Sequence, residues 1–136
     1  MRGPLELIEA GELHALALDG RTQELPLAAQ ADFARLPAES MSAEAWVRVD
    51  KTTQWGGLIG AMQDNGEYER GWLLGFKHDR FGFALKGTGA SGPMTWLIAP
   101  QSMTPRGWHH VVGTYDGHTM RLYVDGESVA ESAAQS

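Results

Sequence analysis

The stretch GWHHVVGTYDGHTMRLYVDGESVA, Gly107 to Ala130, limits the fold most strongly, because two Asp-Gly pairs fall between segments with strand patterning. A two-residue type I′ hairpin needs positive φ at both central positions, and Asp-Gly adopts it at low cost. Asp125-Gly126 therefore joins MRLYV to ESVA, with Val124 opposite Glu127 and Leu122 opposite Val129. The loop of the first hairpin is Asp116-Gly117 or Gly117-His118. The two choices differ by two residues in register, so both put Val111, Gly113 and Tyr115 on one face with Met120, Leu122 and Val124. That face is expected to be the core. The opposite face holds Trp108, His110, Val112, Thr114, Arg121 and Tyr123, and a three-residue loop would exchange the two.

Further turn signals recur at roughly the 8–12 residue spacing of all-β sandwiches. They are Asp19-Gly20, Gly56-Gly57, Asn65-Gly66, Gly87 to Gly92 and Pro105 to Gly107. Between them lie LHALAL, SAEAWVRV, GLIGAM, GWLLGF, FGFAL, MTWLIA and WHHVVGTY, rich in aromatic and β-branched residues. SAEAWVRV alternates, with Ala43, Ala45, Val47 and Val49 on one face and Glu44, Trp46 and Arg48 on the other, as a strand with one buried face does. Two stretches read as short helices or edge-covering loops, GPLELIEAGEL and LAAQADFARLP, the second closed by Pro37. The glycines of WGGLIGAMQDNGEYERGWLLGF do not make a phosphate loop, since neither Gly-Lys-Ser/Thr nor a helix pattern follows them. They fit close strand approach or bulges.

At 136 residues the chain is the size of one domain, residues 1–136, with 17 Gly and five Trp. A formal charge of −6 with 11 scattered basic residues argues against nucleic acid and anionic membranes as partners. Without cysteine, disulfides and thiolate metal sites are excluded. Glu6, Glu9 and Glu12 interrupt what would be the apolar region of a signal peptide, and no apolar run reaches transmembrane length.

WHHVVGTYDGHTMRLYVDGESVA, preceded by MSAEAWVRVD and by LALDG near the start, resembles the laminin-G-like jelly roll of the concanavalin A-like lectin/glucanase superfamily. Trp46, Trp108, His110, Tyr115, Asp116, Gly117, Leu122, Tyr123, Val124, Asp125 and Gly126 fall on the family pattern, and the resemblance runs from about Leu16 to Ala130. It implies an all-β, antiparallel two-sheet jelly-roll sandwich. Family members usually continue beyond the last Asp-Gly hairpin through strands that return to the N-terminal strand. The expectation is thus a domain truncated at its C-terminal strands, with an unpaired edge prone to self-association.

The resemblance implies a non-catalytic recognition or accessory module, binding glycan or protein, of a larger secreted, cell-surface or periplasmic protein. It also implies adjacent domains as partners. Two alternatives stand beside it: a glucanase-like glycoside hydrolase, and a structural spacer attached to an extracellular hydrolase. Glycoside hydrolysis needs two carboxylates across the scissile bond. The superfamily's Glu-x-Asp-x-x-Glu strand is absent, and the nearest approach, Glu67-Tyr68-Glu69, reads as a solvated hairpin shoulder, so no catalytic residue is assigned. Adjacent strand positions send His109 and His110 to opposite faces, where they cannot share an ion. No orienting carboxylate is visible near either. Asp19, Asp116 and Asp125, each before a Gly, read as turn residues.

Sugar rings stack on exposed aromatic faces. Trp55, beside two glycines, and Trp96 are the loop or strand-end candidates, while Trp108, Arg121 and Tyr123 line one sheet face together with Trp46 and Arg48. Trp46 and Trp108 also suit a core or sheet-covering role. The oxygen-rich turn QDNGEYE offers Asp64, Asn65 and Glu67 as calcium donors, without EF-hand spacing. No other cofactor is expected.

Overall fold

The computed structural model describes residues 4–27, 39–64, 69–87 and 92–133. Contacts divide the chain into two units, Met1–Ala31 and Asp32–Ser136. In the first, β1 (Glu6–Ala10) and β2 (Leu13–Ala17) form an antiparallel hairpin. GPLELIEAGEL is therefore a strand and turn, not a helix. Gly11, at φ +66, reverses the chain at Gly11-Glu12 and places Ala10 opposite Leu13, where the short apolar spacing had fitted either period. After β2, the Asp19 Oδ1 atom accepts the backbone N–H groups of Arg21, Thr22 and Gln23. The Thr22 hydroxyl donates to Oδ2 at 2.6 Å, and this bond first, with the three backbone bonds, holds the carboxyl well below the usual range. The second helix-like stretch, LAAQADFARLP, lies outside the described residues except for Leu27.

The second unit is a sandwich of two antiparallel sheets. One has the order β10 (Glu127–Ala133), β9 (Thr119–Val124), β8 (Trp108–Tyr115), β3 (Met41–Arg48). The other runs β4 (Trp55–Asp64), β5 (Glu69–Lys77), β6 (Arg80–Lys86), β7 (Thr95–Ile98). Gly56-Gly57 is thus inside β4 rather than a turn. Gly56 faces the Phe76 ring, which a Cβ would approach to 2.1 Å, and a β-bulge falls between Gly57 and Ile59.

The two late hairpins carry the expected faces. Tyr115 pairs with Met120 and Val111 with Val124, which selects Gly117-His118 as the first loop. There Gly117 alone has positive φ, at +92, the pattern of a type II′ turn, and the Asp116 Oδ1 atom accepts the His118 and Thr119 N–H groups beside it. At the second turn both Asp125 (φ 53) and Gly126 (φ 84) are left-handed, as type I′ requires. Glu127 faces Val124 as expected, but Leu122 faces Ala130, not Val129. A bulge between Ser128 and Ala130 inserts the extra residue.

Val111, Met120 and Leu122 of one sheet and Leu74, Phe81 and Phe83 of the other are completely or almost completely buried. The sheets pack tightly where β8 presents Gly113 to Phe83: a Cβ at Gly113 would lie 2.5 Å from the ring. Burial of the two phenylalanines contributes on the order of 2 kcal/mol each. This shared core leaves each sheet one outward face.

Candidate functional site

Register fixes which side chains share the outer face of the β4–β7 sheet. Trp55 stands opposite Lys77, Lys77 opposite Arg80, Gly75 opposite Gly82, and Trp96 opposite Ala84. Trp55 is on one edge strand and Trp96 on the other, yet their ring centroids are 4.8 Å apart at 48°. That face also carries Leu73 and Ile98, but the positions between the two tryptophans are Gly75 and Gly82, so no bulky side chain keeps the two indoles apart. The Lys77 ammonium sits 4.6 Å from the centroid of the Trp55 ring. Trp55 is 47% exposed, and Trp96 is half-buried.

The outer face of the β3 and β8–β10 sheet holds the other aromatic candidates. Trp46 is 70% exposed and Trp108 40%, so both cover the sheet from outside and neither is core. Trp46 stacks on His110 at 4.9 Å and 20°, while the Arg48 guanidinium lies 5.7 Å over Trp108 and forms an ion pair with Asp50 at 2.9 Å. Arg121 bridges Asp116 at 2.8 Å and Glu131 at 3.2 Å. Its bond to Asp116 is the largest cause of that carboxyl's depressed pKa. Tyr123 is half-buried, opposite Val112 on the same face. The five predicted ligand residues therefore fall into two sets on opposite outer faces, Trp55 with Trp96 and Trp108 with Arg121 and Tyr123.

The histidines do point to opposite faces, but each has a carboxylate, which corrects the sequence expectation. The Nδ1 atom of His109 lies 2.7 Å from Asp125 Oδ2, and its Nε2 atom accepts the Thr104 N–H at 3.1 Å. Nε2 thus holds no proton, and Nδ1–H donates to Asp125. Both ring nitrogens are occupied, the ring is buried, and it meets Phe81 edge-on at 5.3 Å. This is a clamp joining β8, the second hairpin turn and the loop before β8. Asp125 Oδ1 also accepts the His110 N–H, and Asp125 is held below the ordinary carboxylate pKa chiefly by the His109 bond. On the outer face, His110 Nε2 lies 2.8 Å from Glu44 Oε2.

Asn65 and Glu67, proposed with Asp64 as calcium donors, lie outside the described residues, as does the Asp64 side chain. No group of three His, Asp or Glu side chains suited to a metal occurs among the described residues. Of the carboxylates in Glu67-Tyr68-Glu69, only Glu69 is described, and its Oε2 atom accepts the Met94 N–H at 2.9 Å. No described helix is long and apolar enough to cross a membrane.

One feature of this surface has no counterpart among the residues singled out from sequence. The β5–β6 hairpin turns through His78-Asp79 without a glycine, and His78 takes φ 52. Lys77 and Arg80 flank the turn directly opposite each other. The only sequence signal was the spacing of KHDR, because the usual turn residues Gly, Pro and Asn are missing.

The profile of the concanavalin A-like lectin/glucanases superfamily, in its Laminin_G_3 form, matches residues 19–136, and the chain belongs to this family. It is also similar to Pappalysin-1 of Mus musculus and of Homo sapiens, 32% identical to each over 132 residues and 89% of this chain. The match spans 8% of the length of those relatives.

Proposed function

We propose that this domain is a non-catalytic recognition module of a larger extracellular protein, and that it binds glycan on the outer face of the β4–β7 sheet. The observation that carries the reading is the meeting of Trp55 and Trp96, from opposite edges of the sheet, on an outward surface where Gly75 and Gly82 lie between them. A partly exposed indole pair is an apolar shelf for the C–H face of a pyranose. The small part of Pappalysin-1 that this chain matches supports a modular role. The engagement of Glu69 by a backbone N–H, and of both His109 ring nitrogens, supports a role without catalysis.

A glycan array probed with the full 136-residue chain tests this. The expected result is binding that Trp55→Ala and Trp96→Ala each reduce by at least about fivefold, the effect of losing roughly 1–3 kcal/mol of aromatic stacking. Silence on the array, or binding indifferent to both substitutions, refutes it. A second reading rests on the other sheet. Trp46, Trp108, Arg48 and Tyr123 are of the types that dominate protein interfaces, and stacking on His110 and the Asp50 pair hold two of them in place. That face suits docking of an adjacent domain, and cross-linking through Trp46→Cys in the longer polypeptide tests it.

A further inference from the structure

We infer that the glycan held on the Trp55–Trp96 face is anionic, a pyranose carrying a carboxylate or sulfate that meets Lys77 and Arg80 at the β5–β6 turn. The inference rests on the glycan reading above and adds the charge of the ligand. Its starting point is an electrostatic conflict. Lys77 and Arg80 are directly opposed across the hairpin, and like charges so placed destabilise a sheet. His78 lies between them in sequence, exposed and in a left-handed conformation that glycine would adopt at lower cost.

A chain with 17 acidic and 11 basic residues had ample means to neutralise this turn, yet none of Lys77, His78 and Arg80 has a carboxylate within 4 Å among the described residues. Asp79, the nearest in sequence, is hydrogen-bonded by the Ser102 side chain, the largest cause of its lowered pKa, and Arg80 and His78 act on it more weakly. The cations of the opposite outer face behave differently. Arg48 and Arg121 each have acidic partners. Lys77, at the Trp55 ring, and Arg80 opposite it have no such acidic partner among the described residues.

Geometry links the charge to the shelf. The Lys77 ammonium is 4.6 Å from the Trp55 centroid, so an anion meeting it lies within the span of one sugar ring from the indole. Arg80, opposite Lys77, supplies a planar second donor suited to a carboxylate or sulfate. Binding would relieve the repulsion between the two cations, a gain that a neutral sugar does not offer. The net charge of −6 makes indiscriminate attraction of polyanions by the remaining surface unfavourable, which sharpens the test.

Isothermal titration of the full chain with three hexasaccharides separates the possibilities: an oligogalacturonate carrying only carboxylates, a sulfated malto-oligosaccharide, and neutral maltohexaose. The expected result is that at least one acidic probe binds about tenfold or more tightly than the neutral one, as two charge-assisted contacts in a partly exposed site allow. The preference should weaken with added salt and persist with a calcium chelator. Lys77→Gln combined with Arg80→Gln should abolish the preference, whereas Lys51→Gln, at an exposed cation of the loop between β3 and β4, should leave it intact. Hairpin integrity in the double variant is read from its melting temperature, which is expected to change little, the lost repulsion offsetting the lost Lys77–Trp55 contact. Equal binding of neutral and acidic probes, preference unchanged in the double variant, or preference lost with the chelator overturns the inference. Absence of binding by every probe refutes the glycan reading itself, and retained Trp55-dependent binding of maltohexaose without acidic preference refutes only the charge assignment.

Discussion

Gly113→Ala is a direct test of how the two sheets meet. Gly113 is buried in β8, and the new Cβ would lie 2.5 Å from both Cγ and Cδ2 of Phe83 and 2.9 Å from Cε2. Real carbons do not approach so closely, and Phe83 is 0% exposed, so the ring cannot retreat into solvent. Relief requires either a strained Phe83 rotamer or separation of the sheets, and such overpacking costs about 1–3 kcal/mol. For a unit of about a hundred residues this lowers the melting midpoint by roughly 5–14 °C. Circular dichroism melts of the full chain measure it. The double variant Gly113→Ala with Phe83→Leu supplies the control: if the methyl and the ring compete for the same space, the two costs are non-additive, with at least about 0.5 kcal/mol recovered relative to their sum. A Gly113→Ala protein that melts within 2 °C of the parent, or strict additivity in the double variant, would show that Phe83 does not pack over β8 in this way.

Three further outcomes follow from the turns and the clamp. Gly126→Ala, at φ +84 with open space around the added Cβ, should cost roughly 1–2 kcal/mol through backbone strain alone, as read from urea midpoints. Gly87→Ala, equally unobstructed but without positive φ, should leave stability unchanged or raise it by about 0.4–1 kcal/mol; equal losses at both positions would contradict the turn assignment. The Asp125 carboxyl is depressed, first by His109, so its contribution is present above the ordinary carboxylate pKa of about 3.9 and is lost as the pH falls below that toward the folded value. Asp125→Asn, which tolerates the left-handed turn, should therefore flatten the acid limb of stability below a pH of about 4, and an unaltered limb in urea titrations would remove the clamp from the account.

Local chemistry made the late hairpins legible. Asp125-Gly126 specifies its turn by the φ values it tolerates, and period-2 alternation then assigns Val111, Met120 and Leu122 to the core. The bulge that moves Leu122 from Val129 to Ala130 has no such local mark. Gly56-Gly57 resembled a turn because glycine also marks turns, but Gly56 is required by the Phe76 ring from the neighbouring strand. That requirement lies in tertiary packing. The carboxylates attending the histidines were hidden for the same reason, being 16 residues from His109 and 66 from His110. Trp55 and Trp96 could be nominated separately from their neighbours, but only sheet order shows that they meet.

The contrast between the two outer faces is where sequence, packing and function join. On the β3 and β8–β10 face, polar groups are satisfied within the chain: Glu44 by His110, Asp50 by Arg48, and Asp116 and Glu131 by Arg121. Each exposed pair is worth little by itself, yet together they hold Trp46 and Trp108 in place and leave few charges seeking partners. On the β4–β7 face, the basic groups around the tryptophan pair face one another instead. A fold selected for stability alone would favour an acidic residue at position 77 or 80, which would convert a repulsive cross-strand pair into an attractive one. Arg80→Glu, which leaves the Lys77–Trp55 contact in place, should therefore stabilise the free domain slightly, by a few tenths of a kcal/mol, while weakening its hold on an acidic sugar. Opposite signs for stability and binding at one position distinguish a recognition surface from a merely tolerated turn; a substitution that left binding untouched while raising the melting midpoint would assign Arg80 to the second category.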